Sequence, residues 1–552
     1  MTHSQALIQG RVSPDEREIM LAQLPASTLD VLVIGAGING AVAAAGLSAR
    51  AGRVAVVDGG DFSSGVSSQS SNLAWGGIKY LEAGEFRLVR KLCRSRNQLM
   101  DAFPSTVREI RFLASVRRGF RWWSIALWCG ALLYWLMGNM RLSPPRYLTA
   151  RAISRRAPVV NPADIVGGLE YSDCYLHDND SRFVFRFLRT AMDRGVLAAN
   201  YTRVERLTWS VSEDRWAVQL HDLVGNRTLT VHAKSIVNAA GPNADSLNEQ
   251  LGVVTQHHHV LSKGIHLIVD RVTDVDKVLT FFASDGRLFF VIPMGPKTCI
   301  GTTDTRVDAP SVAVTPEDRD FVLANANALL KLPKPLTTAD IIAERVGVRP
   351  LALAGEVEQG DWTQLSRKHE VDVDEQRRVL SIFGGKLTDC INVGDEVVSL
   401  IAKWGLAMPK DNQRWYGEPG PEQRAQFLAA AAAMELDTLT PKHAPEPLSL
   451  RYWRRYGTDA FELLTAIAQD PAESELVLQC ADYTRAELRL TAKREMIVDI
   501  HDFLRRRSKI AQVVRPRALL DDPGLPELVS LLMAESAPAA IAQMQREADL
   551  PS

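Results

Sequence analysis

The period of the apolar positions changes along the chain, and each change marks an element. Residues 28–62 read TLDVLVIGAGINGAVAAAGLSARAGRVAVVDGGDF. An apolar run of strand length, a glycine turn, an alanine-rich helical stretch and a second apolar run predict a strand–helix–strand unit. Residues 1–28 form a polar leader. Residues 86–157 read mostly as helix, and within them WWSIALWCGALLYWLMG, 122–138, is apolar throughout. From 167 to 240 the pattern shortens to alternation, as in LTWSVSEDRWAVQLHDLVGNRTLTVHA. That predicts antiparallel strands around one helix over 181–194. More strands follow over 259–303. VTPEDRDFVLANANALL has the Thr-Pro start and early acids of a helix. ERVGVRPL and RRVLSIFGGKLTD return to strand and turn. After Met408 the chain is rich in Ala, Leu, Glu and Arg at helical spacing, which predicts a separate helical domain.

The glycine turn carries the first chemistry. Gly35, Gly37 and Gly40 form GxGxxG, with Asn39 inside it; the turn follows a strand, opens a helix, and precedes a strand ending in Asp58. In that context Gly35 permits the tight turn, Gly37 the approach of a pyrophosphate and Gly40 close helix–strand packing. The helix N-terminus offers free N–H groups to the anion. Asp58 stands where an acid would hold a ribose hydroxyl. The turn alone does not choose between FAD and NAD. Its place near the N-terminus, the strand-rich insertions after it and the late turn 383–388, FGGKLT, favour a flavin.

Composition narrows the class. A chain of 552 residues suggests three or four domain-sized units. A net charge of -1 leaves no global field for nucleic acid. The six cysteines are scattered, without a CxxC pair, which favours a reducing compartment over a zinc site or disulfide framework. His257, His258 and His259 are consecutive, so in a strand they face alternate sides, and no metal is expected. The N-terminus lacks an apolar signal segment. The apolar run follows Arg117, Arg118 and Arg121 and is short for a span, so residues 117–138 predict a helix lying in a membrane surface; a buried core helix is the alternative.

Ten stretches carry a family resemblance. VIGAGINGA, GDFSSGVSS, GGIKYLEAGEFRLVR, VNAAGPNAD, LSKGIHLIV, DGRLFFVIPMGPKTCIGTTDT, VGVRPL, SRKHEV, FGGKLT and KREMIVDIHDFLRRRSKI occur in order between Asp30 and Ile510. The chain resembles the FAD-dependent glycerol-3-phosphate dehydrogenases, among the D-amino-acid-oxidase-like flavoproteins. The resemblance implies an α/β fold: a Rossmann-like FAD-binding domain, an antiparallel-sheet substrate (cap) domain and a C-terminal α-helical domain. The expected division is a leader at 1–28, a discontinuous FAD-binding domain at 29–95, 165–258 and 340–407, a helical insertion at 96–164, a cap at 259–339, and the C-terminal domain at 408–552. The implied reaction oxidises sn-glycerol 3-phosphate to dihydroxyacetone phosphate, with hydride passing to FAD and electrons to a membrane quinone. The expected location is peripheral, on the cytoplasmic face of the cell membrane, and a homodimer is compatible with the reading.

Residue roles follow from the same resemblance. Arg349 and Lys386 match substrate-site positions, where fixed positive charge would hold a phosphate. His266 matches a histidine facing the substrate and is the expected base for the hydroxyl proton. Lys79 and Tyr80 are further substrate contacts. Ser67, Ser68, Gly76, Gly77, Gly241, Gly385, Leu387 and Thr388 complete the cofactor set with the glycine turn. Four positions depart from the family: Asn72 stands for a usual lysine, Trp75 for a histidine, Lys79 for an arginine and Ile391 for an arginine. These departures keep two other readings open: an FAD-dependent oxidoreductase of another hydroxy or amino acid, and a flavin-bound membrane protein without turnover.

Overall fold

The computed structural model describes residues 16–50, 52–120, 124–355, 368–407, 414–442 and 444–549. Its first sheet is built on the strand–helix–strand unit. Strand Leu29–Ile34 runs parallel to Val54–Val57 on one side and to Arg227–Asn238 on the other. Val379–Gly384 and Leu197–Ala199 extend the parallel part, and His369–Asp374 adds an antiparallel edge. The central strand is almost wholly buried, as its continuous apolar run requires. On one face the helices Ile38–Leu47, Asp180–Asp193 and Cys390–Lys403 share a core that includes Ala43, Phe183 and Val397. Trp216, Val218 and Leu247 cover the opposite face.

The second sheet has ten strands. Its long antiparallel pair, His257–Asp270 against Ile341–Ala354, stays in register from His257↔Ala354 to Ile268↔Ala343. Helix Pro316–Leu329 packs on one face through Val322 and Ala326, opened by a capping box between Thr315 and Asp318.

This topology moves several expected boundaries. Strand Val107–Arg117 lies in a stretch that reads as helix; its apolar residues Val107, Ile110, Leu113 and Val116 repeat at helical spacing. The decision comes from its partner, Ile165–Leu176, with which it forms a long antiparallel ladder. Both strands, and Ile341–Ala354, belong to the second sheet. The cap is therefore assembled from segments assigned by sequence to the helical insertion and the cofactor domain. Alternation marks a strand but not the sheet it joins.

The described residues beyond 414 are helical and form two cores, around Trp453 and around Phe503. This region is locked to the first sheet by buried charge. Asp61 is fully buried and takes two hydrogen bonds from Arg507, at 2.7 and 2.8 Å. Tyr201 donates to Asp502 (2.7 Å) and Asn179 to the carbonyl of Ser508 (2.7 Å). Removing one partner of so buried a pair is the costly direction.

Candidate active site

The glycine turn has the geometry its sequence requires. Gly35 sits at φ +100°, and a Cβ there would stand 2.5 Å from the carbonyl oxygen of Ala239. Asp58 closes the turn from the end of its strand: the N–H groups of Ala36 (2.7 Å) and Gly60 (2.9 Å) donate to its carboxylate. Burial pushes the Asp58 carboxyl up to about 6, against those two hydrogen bonds. A hydroxyl donating to it would ease that burial. Ser67 reaches the turn directly, its Oγ accepting from the Ile38 N–H at 2.9 Å. Ser68 does not share this role: its hydroxyl and its N–H both donate to the carbonyl of Gly65, so its donors are consumed within its own turn.

The late glycine turn meets the first one. Asn39 donates to the Gly384 carbonyl (3.1 Å), and its own Oδ1 is buried without a partner beside Gly385. The Gly384 N–H donates to His259 Nε2 (3.2 Å), whose other nitrogen is 2.9 Å from Asp245. Thr388 donates to the Trp75 carbonyl (3.2 Å), and Asp389 is 2.6 Å from His369 Nδ1. Leu387 opens the short helical turn that carries Thr388. Gly241 borders open space, with no described atom within 4 Å of where a Cβ would sit. A glycine turn at a helix N-terminus, a half-buried acid for ribose hydroxyls, an amide oxygen without a partner among the described residues and a second turn facing it fit FAD. When bound, FAD supplies a two-electron acceptor.

Residues 67–86 lie along both turns. Lys386 Nζ donates to the Tyr80 hydroxyl (2.6 Å), 4.0 Å from the Tyr80 ring centroid and 5.7 Å from that of Trp75. Tyr80, Trp75 and Lys386 therefore form one cluster, while Lys79 on the same turn is exposed. Gly76 and Gly77 are glycines for packing reasons rather than for cofactor approach. A Cβ on Gly76 would meet the Tyr134 hydroxyl at 2.3 Å, and one on Gly77 the Tyr80 ring at 2.6 Å. The Gly76 N–H donates to Asp173 (3.1 Å), which also accepts from Tyr134 (2.6 Å) and Arg96 (3.0 Å). This buried triad has no local motif, because its members lie on three elements and meet only in the fold.

The residues expected on the substrate side, Arg349 and His266, lie on the long strand pair of the second sheet. Directly opposed residues share a face, so Ser262 and Arg349, Gly264 and Gly347, and His266 and Arg345 line up in register. His266 is buried, and neither ring nitrogen has a hydrogen-bond partner among the described residues. Burial, with Arg349 and Arg345 adding like charge, pushes the imidazole down to about 3, so it is neutral. Arg349 donates to Thr302 Oγ1 (3.1 Å) and lies 3.4 Å from Asp304. Its guanidinium crosses Gly264: a Cβ there would stand 2.1 Å from Nη2. Gly264 is thus a site residue that sequence reading passes over, since only the facing strand shows why it must be small. Gly264→Ala is expected to displace Arg349 and lower substrate-driven flavin reduction by at least about tenfold, with FAD content unchanged. Stopped-flow absorbance checks this.

The same strand joins the two halves of the site. A Cβ on Gly347 would be 3.1 Å from Gln69, and one on Gly384 3.3 Å from Ala352. Arg345 also donates to the Ser70 carbonyl. Two of the departures belong to structure rather than chemistry. Asn72 is buried at φ +58°, a left-handed conformation that asparagine tolerates, and its side chain accepts from Asp180 N–H and Arg345. Ile391 is part of the helix core beside the first sheet.

Comparison with known proteins agrees with this construction. Residues 30–369 match the family described as FAD dependent oxidoreductase, and residues 423–530 match the C-terminal domain of alpha-glycerophosphate oxidase. The chain is 30% identical to glycerol-3-phosphate dehydrogenase 2 of Mycobacterium bovis, covering 91% of this chain and 84% of that one. It is 29% identical to the aerobic glycerol-3-phosphate dehydrogenase of Staphylococcus saprophyticus, covering 89% of each. Among solved structures, the glycerol-3-phosphate dehydrogenase of Bacillus halodurans complexed with FAD superposes with a TM-score of 0.72 at 24% identity, over 97% of this chain and 96% of that one. FAD-bound L-alpha-glycerophosphate oxidase of Mycoplasma pneumoniae superposes at 0.55 and 18% identity, over 71% of this chain and 99% of that one. With its glycine turn, Asp58 and matching C-terminal region, the chain belongs to the FAD-dependent oxidoreductases, in the glycerol-3-phosphate dehydrogenase family.

Proposed function

We propose that this enzyme oxidises sn-glycerol 3-phosphate to dihydroxyacetone phosphate and passes the electrons to a membrane quinone. The carrying observation is the pairing of Arg349, laid across Gly264, with the neutral, unpartnered His266 on the same strand face. Arg349 binds and orients the phosphate, with the Lys386–Tyr80 pair as a further polar contact. A doubly charged phosphate offsets the two arginines that depress His266, and so raises the affinity of its imidazole for a proton. An imidazole nitrogen of His266 takes the proton of the C2 hydroxyl as the alcohol becomes a ketone; bound FAD would supply the acceptor for the hydride lost from C2. Anaerobic mixing of the FAD-loaded protein with sn-glycerol 3-phosphate is expected to bleach the flavin band within seconds. A band that stays intact, while another hydroxy acid or an amino acid bleaches it, would overturn the substrate. Trp75 in the Lys386 cluster is the feature that favours such an alternative.

The quinone reading is supported by the helix Ser124–Met137. Its 14 residues span about 21 Å, short of a bilayer core of about 30 Å. Ala131, Tyr134 and Met137 face the protein, while Ile125, Leu133 and Leu136 are 61%, 41% and 49% exposed. Trp122 and Trp123 lie outside the described residues. An outward apolar face with exposed arginines on the flanking segments, such as Arg118 and Arg146, suits a helix lying in a lipid surface. We place the enzyme peripherally, on the cytoplasmic side of the cell membrane. Serine at Ile125, Leu133 and Leu136 together is expected to cut flotation with anionic liposomes by about tenfold or more, with flavin bleaching in solution retained.

A further inference from the structure

The helix Asp180–Asp193 begins beside the cofactor turn, where Asp180 accepts the Ser70 N–H at 2.7 Å. Its 14 residues span about 21 Å. From Arg182 to Asp193 it forms one wall of a cavity of about 330 Å³ against the C-terminal helical region. This is the lower end of the range for small-molecule sites.

The wall chemistry is unusual for a domain junction. The helix contributes Arg182, Arg186 and Arg189, with Arg194 just past its end. Arg414, Arg455 and Arg494 face them. Against these seven arginines the lining has four carboxylates: Asp193, Glu418, Asp459 and Glu495. Several arginines are already neutralised. Arg182 pairs with Glu495 (2.7 Å), Arg189 with Glu16 (2.9 Å), Arg455 with Glu487 (2.8 Å), and Arg494 with Asp193 (2.8 Å).

Three others are less well neutralised. Arg186 donates to Thr106 Oγ1 (2.8 Å) and the Arg454 carbonyl (3.1 Å) and pairs at 3.7 Å with Glu418, whose carboxylate also accepts from the Ser105 N–H and hydroxyl. Arg194 donates to the Arg414 carbonyl (3.3 Å), and Arg414 lies over the Tyr416 ring, 4.9 Å from its centroid. Neither has an ion pair among the described residues. The Nε atom of Arg182 is buried and has no hydrogen-bond partner among the described residues. Burial pushes the Arg186 guanidinium down, with Glu418 offsetting part of that and Arg182 adding like charge. Half-enclosed positive charge of this kind is costly unless an anion completes it.

We propose that this cavity is a second anion site, distinct from the flavin site, that binds a small phosphate-bearing molecule. A phosphate group offers the charge and the oxygen geometry that guanidinium forks recognise. Tyr416 and Tyr456 line the cavity as flat surfaces for the remainder of the ligand. Arg182 and Arg186 also hold the carbonyls of Arg455 and Arg454, so an anion seated there would tie the cofactor domain to the C-terminal helices.

Calorimetric titration of the FAD-loaded protein with inorganic pyrophosphate tests the site. Saturable binding is expected, weakened about tenfold or more by Arg194→Gln together with Arg414→Gln. Thr458→Glu, which places a carboxylate in the lining, is expected to abolish it. Arg349→Ala is expected to leave it intact. All three exchanged cavity positions are exposed, and retained flavin absorbance reports that each variant is folded. The proposal fails if no saturable binding occurs by about 10 mM, or if Arg349→Ala removes the binding while the cavity variants keep it; the latter result would assign the anion to the flavin site alone.

Discussion

Replacing Arg349 by alanine is expected to lower kcat/KM for sn-glycerol 3-phosphate by about 10²–10⁴-fold, with FAD content unchanged. Two charge-assisted hydrogen bonds to a phosphate, at roughly 1.5–3 kcal/mol each, set that scale. The loss is expected mainly in KM, because the phosphate is held equally in the ground and transition states. Arg349→Lys keeps the charge but not the planar fork, so it is expected to recover only part of the loss. Asp304 gives a second reason for partial recovery. It lies 3.4 Å from Arg349 and also accepts from Ser262, so it fixes the guanidinium's direction in a way a lysine cannot reproduce. Steady-state kinetics with flavin absorbance as the loading control checks the result. Unchanged KM in the alanine variant would remove Arg349 from the phosphate site.

His266→Gln is expected to slow flavin reduction at saturating substrate by about 10²–10⁴-fold, the usual contribution of a positioned base. Glutamine keeps a polar side chain in the strand but cannot take a proton at working pH. The same variant has a stability signature that a solvent-exposed histidine would lack. The imidazole is pushed from its ordinary 6.5 down to about 3 in the folded protein. Between those values the unfolded chain binds a proton that the folded chain refuses. Stability from this group is therefore complete above about pH 6.5 and declines as pH falls toward 3, by up to about 1.4 kcal/mol per pH unit. His266→Gln is expected to remove that slope. Urea midpoints of both proteins at pH 7 and pH 5 measure it. Parallel shifts in the two proteins would mean that His266 does not sit unprotonated in the fold.

Much of the cofactor side was legible from local pattern. The turn at Gly35, Gly37 and Gly40, its flanking strands and Asp58 are contiguous, and each answers a backbone requirement that acts over a few residues. The structure keeps all of them in their expected places. Ser68, Gly76 and Gly77 were harder to place. A serine or glycine near a cofactor turn can serve the ligand or the packing, and only Gly65, Tyr134 and Tyr80 show that here it is packing. Asn72 and Ile391 looked like lost charge beside the cofactor, but each occupies a position set by backbone conformation or core volume. Trp75 remains the departure that touches the site, through Lys386.

By itself, then, the sequence determined the dinucleotide unit, the flavin class through its ordered motifs and the helical character of the C-terminal region. Those features depend on short-range geometry or on residue chemistry. Tertiary structure alone decided which strands make the cap, why Gly264 lies beneath Arg349, how Asp173 joins Gly76 to the apolar helix, and that seven arginines from distant segments converge on one cavity. Each of these depends on strand pairing and domain docking between residues tens to hundreds of positions apart. Periodicity reports which face of an element is buried, but not what lies against it.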